Sequence, residues 1–323
     1  MSALPQLADL ETAAEQVYRV MPATPQYNWP LLSRRVGAEL WVKHENHTPA
    51  GAFKIRGGIV YMNALKQEQP NVTGVIAATR GNHGQSVAFA ATRMGLSSTV
   101  VVPKGNSVEK NAAMQAFGAE LIVHGDDFQD SLEYAEGLAE ERKLHMVQSF
   151  DKRLVAGVGT YGYELFKSVP DLEAVFVPIG LGSGICGVMA ARDACGSKAE
   201  VYGVVSEGSP AYALSFEQKR KVSVNSTVTI ADGVDCRTPN DSALAPIFAG
   251  AADVIRVPDT LIKEAMRAYY TDTHNIAEGA GAAPLAAVMQ EKAKWQGRKV
   301  GVILSGGNVD KSLYQEVLSQ STD

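Results

Sequence analysis

Residues 74–95 read GVIAATRGNHGQSVAFAATRMG: a short apolar run, a polar turn TRGNHGQ at 79–85, and a stretch with helical character. The run lacks alternating polar residues, so it reads as a strand covered on both faces. The same unit recurs nearby. STVVVPK (98–104) precedes NSVEKNAAMQAFG (106–118), and AELIVHG (119–125) precedes DFQDSLEYAEGLAEERK (127–143). Farther along, AVFVPIG (174–180), EVYGVVSEG (200–208) and KVGVILSGG (299–307) each enter a helix or a glycine turn. Apolar strands alternating with amphipathic helices predict an α/β fold with open, mostly parallel twisted sheets and flanking helices. The three units that the stretch 74–125 contains suffice for a small domain over 71–148. It would be inserted into a large domain built from 1–70 and 149–323.

Bulk composition narrows the function classes. Of 323 residues, 46% are hydrophobic and 20% charged, an ordinary globular balance. The net charge of −5 and a single dense basic spot, KRK at 219–221, argue against a nucleic-acid partner. No apolar run approaches the roughly 18–20 residues that span a bilayer. The first twenty residues also lack the cationic-then-apolar order of a signal peptide. A cytoplasmic protein with no membrane partner is therefore expected. Cys186, Cys195 and Cys236 show no metal-ligand spacing and read as reduced thiols.

Ligands of open α/β sheets bind beyond the carboxyl ends of the strands. Four turns there stand out: TRGNHGQ (79–85), GLGSGICG (180–187), SEGS (206–209) and SGGN (305–308). The glycines of 180–187 let backbone N–H groups close on an anion at a helix start, which suits a phosphate. They serve tight strand–helix packing equally well. A nicotinamide dinucleotide competes, since Gly180 and Gly182 begin a GxG pattern and Glu207 stands where a ribose-binding acid belongs. Ile185 breaks that fingerprint. In GAFKIRGG (51–58), Lys54 lies between Phe53 and Ile55. It is either a surface lysine with a snorkelling stem or a desolvated amine able to condense with a carbonyl. Asn82, His83 and Gln85 form a polar cluster between strand and helix; an N-cap accounts for one of them but not for the group. Ser305 alone reads as a turn former.

Taken together, FKIRGG, GNHGQ, the glycine loop after VPIG, ADGV (231–234), AEGAGAAPLAAV (277–288) and ILSGGNVD (303–310) resemble the threonine dehydratase and serine racemase family. This is the fold type II, tryptophan-synthase-β-like class of pyridoxal 5′-phosphate (PLP) enzymes. The motifs match in order over nearly the whole chain. The resemblance implies two open mostly parallel sheets, PLP as cofactor and Lys54 as the lysine that binds it covalently. Phe53 would pack against the ring, Asn82 would bond its phenolic oxygen, and Ser305 would meet the pyridine nitrogen with Glu278 near the same end. Gly180, Leu181, Gly182, Ser183 and Gly184 would cradle the phosphate through backbone amides. Thr79, Asn82 and His83 would hold the α-carboxylate of an amino-acid substrate. The implied reaction eliminates water from a β-hydroxy amino acid such as L-threonine, L-serine or 3-hydroxyaspartate and hydrolyses the resulting enamine, giving a 2-oxo acid and ammonia.

Three departures refine that expectation. Arg80 precedes GNHG, where racemases of the family carry a serine that works on the opposite face of the substrate. A guanidinium is a poor base, so racemisation ranks second. Arg80 could instead bind a side-chain carboxylate or serve only as a salt-bridging loop residue. The acidic metal ligands of the racemase-like members are replaced by Val205 and Ala211, with Glu207 displaced, so no such metal site is expected. Little chain follows ILSGGNVD, so no C-terminal regulatory domain is expected, and a catabolic role is the expectation that goes with it. Relatives are often dimers, and a homo-oligomer is expected. A non-catalytic protein that binds PLP or an amino acid stays open as an alternative.

Overall fold

A computed structural model describes residues 4–320. Ten strands form two sheets among the described residues. In chain order they are β1 (Gln26–Asn28), β2 (Glu39–His44), β3 (Gly74–Ala78), β4 (Ser97–Val102), β5 (Ala119–Val123), β6 (His145–Met146), β7 (Ala174–Pro178), β8 (Glu200–Ser206), β9 (Asp253–Val257) and β10 (Lys299–Leu304). The larger sheet runs β1-β2-β10-β7-β8-β9 and the smaller β5-β4-β3-β6. Every pairing is parallel except β1 with β2. The two-sheet α/β architecture expected from the strand–helix rhythm is the one observed. All four strands of the small sheet fall between residues 74 and 146, whereas the large sheet draws on both sides of that segment.

The uniform apolarity of the central strands has a direct cause. Val300, Val302 and Leu304 enter one hydrophobic cluster, together with Phe176 and Trp295. Ile303, Val175 and Val177 enter another on the opposite face. Side chains alternate across a strand, so a strand with helices on both faces must be apolar at every position. Each fully buried Val, Leu, Ile or Phe contributes about 1.5–3 kcal/mol relative to exposure.

One buried cluster is ionic. Arg56, two residues beyond Lys54 on the helix Lys54–Glu68, is fully buried. Its Nε donates to Glu45 Oε2 at 2.7 Å and its Nη1 to Glu164 Oε1 at 2.6 Å. Lys43 Nζ reaches Glu164 Oε2 at 2.6 Å and the Thr24 carbonyl at 2.6 Å. Two cations face two carboxylates, so the cluster is neutral. Burial pushes the Glu164 carboxyl up, but Arg56 and Lys43 outweigh it and hold it below the usual range.

Candidate active site

The turns after β3, β7 and β10 converge on one cavity of about 430 Å³. They do so because each follows the carboxyl end of a parallel strand. All the side chains and glycines anticipated from the sequence meet there: Phe53 and Lys54, the run Thr79, Arg80, Asn82 and His83, the turn Gly180 to Gly184, then Glu278 and Ser305. Glu207, the acid that a dinucleotide would need, is exposed and lies outside the cavity wall. Among the described residues, no group of three or more His, Cys, Asp or Glu side chains is placed to hold a metal ion.

Lys54 begins its helix directly after Phe53, whose N–H donates to the Ser305 carbonyl at 2.9 Å. That bond ties the lysine segment to the end of β10. Lys54 Nζ lies 3.2 Å from Ser183 Oγ and 4.8 Å from the Phe53 ring centroid. Burial pulls its amine down to about 8, with Glu278 opposing part of the shift. A large neutral fraction is thus present near physiological pH, as condensation with a carbonyl requires. We expect the rate at which apoprotein captures added pyridoxal phosphate to rise with pH and level off above about 8. An ordinary lysine would level off roughly two units higher. Stopped-flow absorbance checks this, and a rise continuing beyond pH 10 would contradict the buried-amine picture.

The turn 180–184 leads into the helix Ser183–Ala194. Gly182 sits at φ +98°, a conformation disfavoured for residues with a Cβ. A Cβ on Gly180 would stand 2.3 Å from the Gly233 carbonyl oxygen. Glycine is therefore imposed at both positions, and the backbone stays bare at a helix start whose first N–H groups lack intrahelical partners. Such a cradle fits a phosphate. From behind, the Tyr212 hydroxyl donates to the Leu181 carbonyl at 2.9 Å and fixes the turn.

Asn82 starts the helix Asn82–Arg93. Its Nδ2 donates to Glu278 Oε1 at 2.7 Å, and its Oδ1 accepts from Asn308 Nδ2 at 2.9 Å. These two bonds define the amide orientation and leave one Nδ2 hydrogen to spare. Burial pushes the Glu278 carboxyl up, with Lys110 and Asn82 opposing. Thr79 Oγ1 accepts from the Gly81 N–H at 3.0 Å and shapes the turn before the helix. Burial, reinforced by Lys54, drops the His83 imidazole to about 4, so it is neutral at physiological pH. The Arg80 guanidinium is partly exposed and stands 3.4 Å from Asp235, at the cavity wall. Also exposed at the mouth, Arg237 stands 3.5 Å from Asp127.

Several wall residues escaped the sequence reading. Lys110 and Asp127 carry no local signature that separates them from surface charges. Asp232 and Asn308 lie inside the quoted motifs without having been singled out. Arg237 and the adjoining Thr238 also line the wall.

Comparisons with known proteins converge on the same chemistry. A model of the family described as pyridoxal-phosphate dependent enzyme matches residues 19–306. The L-threonine ammonia-lyase of Thermotoga maritima is 32% identical over 97% of this chain and 78% of its own length. The structure of the processed form of threonine deaminase isoform 2 from Solanum lycopersicum superposes with a TM-score of 0.90. It is 29% identical, with 96% of this chain and 86% of that one covered. Maize serine racemase superposes with a TM-score of 0.91 at 29% identity, covering 97% of each chain.

Proposed function

Because the chain belongs to the family of pyridoxal-phosphate dependent enzymes, we propose that it is an ammonia-lyase that converts L-threonine or L-serine to a 2-oxo acid and ammonia. The observation that carries this reading is the buried Lys54 amine, 3.2 Å from the side chain that opens a glycine-cradled helix start. The relatives described as L-threonine ammonia-lyase or dehydratase support the choice of reaction.

In this reading the amides of Gly180, Leu181, Gly182, Ser183 and Gly184 hold the cofactor phosphate. Asn82 gives its spare Nδ2 hydrogen to the ring oxygen, Ser305 meets the ring nitrogen, and Phe53 borders the ring. Bound there, pyridoxal phosphate supplies an electron sink for the pair left at Cα. Lys54 Nζ takes the Cα proton as general base, a role open to a neutral amine. Thr79, Asn82 and the first-turn amides of the helix Asn82–Arg93 receive the α-carboxylate, with His83 beside them as a neutral imidazole. A serine at the ring nitrogen does not stabilise a protonated ring, which favours prompt loss of the β-hydroxyl over prolonged carbanion storage.

Racemisation is the second reading, supported by the likeness to maize serine racemase. It needs a base on the face opposite Lys54. The residue before Gly81 is Arg80, whose guanidinium is a poor base and stands beside Asp235. Elimination is therefore preferred. A homodimer, a cytoplasmic location and a small domain over 71–148 belong to the same proposal.

The mouth also bears on the side chain of the substrate. Arg80 and Arg237 face Asp235 and Asp127, so their charges cancel. A neutral side chain is favoured over a carboxylate. We expect oxo-acid release from L-threonine or L-serine to exceed that from each 3-hydroxyaspartate isomer by about tenfold in kcat/KM. That is the equivalent of one charge-assisted contact forgone. A preference for the dicarboxylate would assign Arg80 to the side chain and overturn this choice. No oxo acid from any of them, in a protein that has taken up the cofactor, would overturn the lyase reading itself.

A further inference from the structure

Lys110 lies in the helix Val108–Ala116, on the segment that carries the small sheet, and it is buried. Its ammonium reaches two carboxylates of the chain that carries the large sheet: Asp232 Oδ2 at 3.0 Å and Glu278 Oε2 at 3.8 Å. Its stem occupies the space beside Gly81, where a Cβ would stand 2.5 Å from Lys110 Cδ. One side chain thus underlies the loop that precedes Asn82 and touches the carboxylate that binds Asn82. Glu278 accepts the Asn82 amide through Oε1, leaving Oε2 for Lys110.

We propose that Lys110 is a positioning residue for Asn82, acting through Glu278. The inference rests on the assignment of Asn82 to the ring oxygen of the cofactor. The groups that act on Glu278 are Lys110, Asp232, Lys54 and Asn82. Burial and Asp232 favour a protonated carboxyl, while the two lysines and the Asn82 amide favour the carboxylate. Only the carboxylate is an obligate acceptor, and only an obligate acceptor forces Nδ2 rather than Oδ1 of Asn82 toward it. Once protonated, Glu278 can donate to Oδ1, and the bond from Asn308 is then the one left to hold the amide with its nitrogen toward the cofactor. Of the two lysines that act on the carboxylate, Lys110 is the one that does not bind the cofactor covalently, because Lys54 is the attachment point. Burial alone would pull the Lys110 ammonium down. Glu278 and Asp232 outweigh it and hold it above the usual lysine range, so the strut stays charged.

The test is a pH titration of the visible absorbance and fluorescence of the bound cofactor, without substrate, in Lys110→Met, Lys110→Arg and Asp232→Asn. Lys110→Met keeps most of the stem and loses the charge. Its acid transition should move up by about one pH unit or more, a tenfold change in the protonation of Glu278. Lys110→Arg should restore most of the wild-type curve. Asp232→Asn removes a negative charge beside Glu278 and should move the transition down, which keeps the proposal testable if Lys110→Met does not fold. An unshifted curve in Lys110→Met, or equal disturbance by Met and Arg, would reduce Lys110 to packing. For Asp232→Asn, an upward shift or no shift would overturn the proposal. If Asn82→Ala leaves the cofactor spectrum unchanged, the assignment of Asn82 fails first, and the inference falls with it.

Discussion

Lys54→Ala should lower turnover by at least about a thousandfold, within the range for losing a general base that is also the covalent anchor. The replacement removes the amine from its position beside Ser183 and leaves the surrounding shell intact. Phe53 still donates to Ser305, Ser86 still donates to the backbone carbonyl of residue 54, and the ionic cluster around Arg56 is untouched. Burial disfavours the ammonium form at this site, so the variant should fold at least as stably as the parent. The measurement is single-turnover oxo-acid release alongside a urea unfolding curve. A folded variant that retains turnover within tenfold of the parent would remove Lys54 from the mechanism. The proton transfer at Cα would then have to be assigned to another group of the site.

Arg56→Met should destabilise the protein by about 3–5 kcal/mol, the usual cost of removing one partner from a buried ion cluster. The loss is large because Glu45 and Glu164 remain buried with Lys43 as their remaining cation. Six nitrogen–oxygen contacts on the guanidinium, to Glu45, Glu164, Thr160 and Thr24, disappear together. The midpoint of urea unfolding, read with the slope to exclude a change in cooperativity, checks the figure. Removing Glu45 in the same chain should cost less than the sum of the two single losses, because the pair shares its desolvation. A loss below 1 kcal/mol for Arg56→Met would mean that water or a rearranged Lys43 replaces the guanidinium. Arg56 stands two positions from Lys54 on one helix, so partial unfolding there should also loosen cofactor binding.

Six of the ten strands lie within apolar runs that are visible in the sequence, and all six are parallel members of the sheets. The glycine turn of 180–184, the polar turn of 79–83 and Ser305 were legible because each directly follows such a strand. β1, β2, β6 and β9 were not. β1 and β6 have three and two residues. β2 reads ELWVKH and buries Lys43 and His44, which look like surface residues until their partners are known.

What the sequence determined by itself, then, is the alternation of strands and helices and the turns where a ligand can sit. Both are encoded over a few neighbouring residues, by side-chain period and by the backbone freedom of glycine. Tertiary structure alone decided which charges are buried and which neighbours answer them. Arg56 meets Glu164 across 108 residues, Lys110 meets Asp232 across 122, and Asn82 meets Glu278 across 196. A lysine in a helix looks the same in sequence whether it faces water or two carboxylates, because the cost of burying its charge depends on groups that only folding brings within 4 Å.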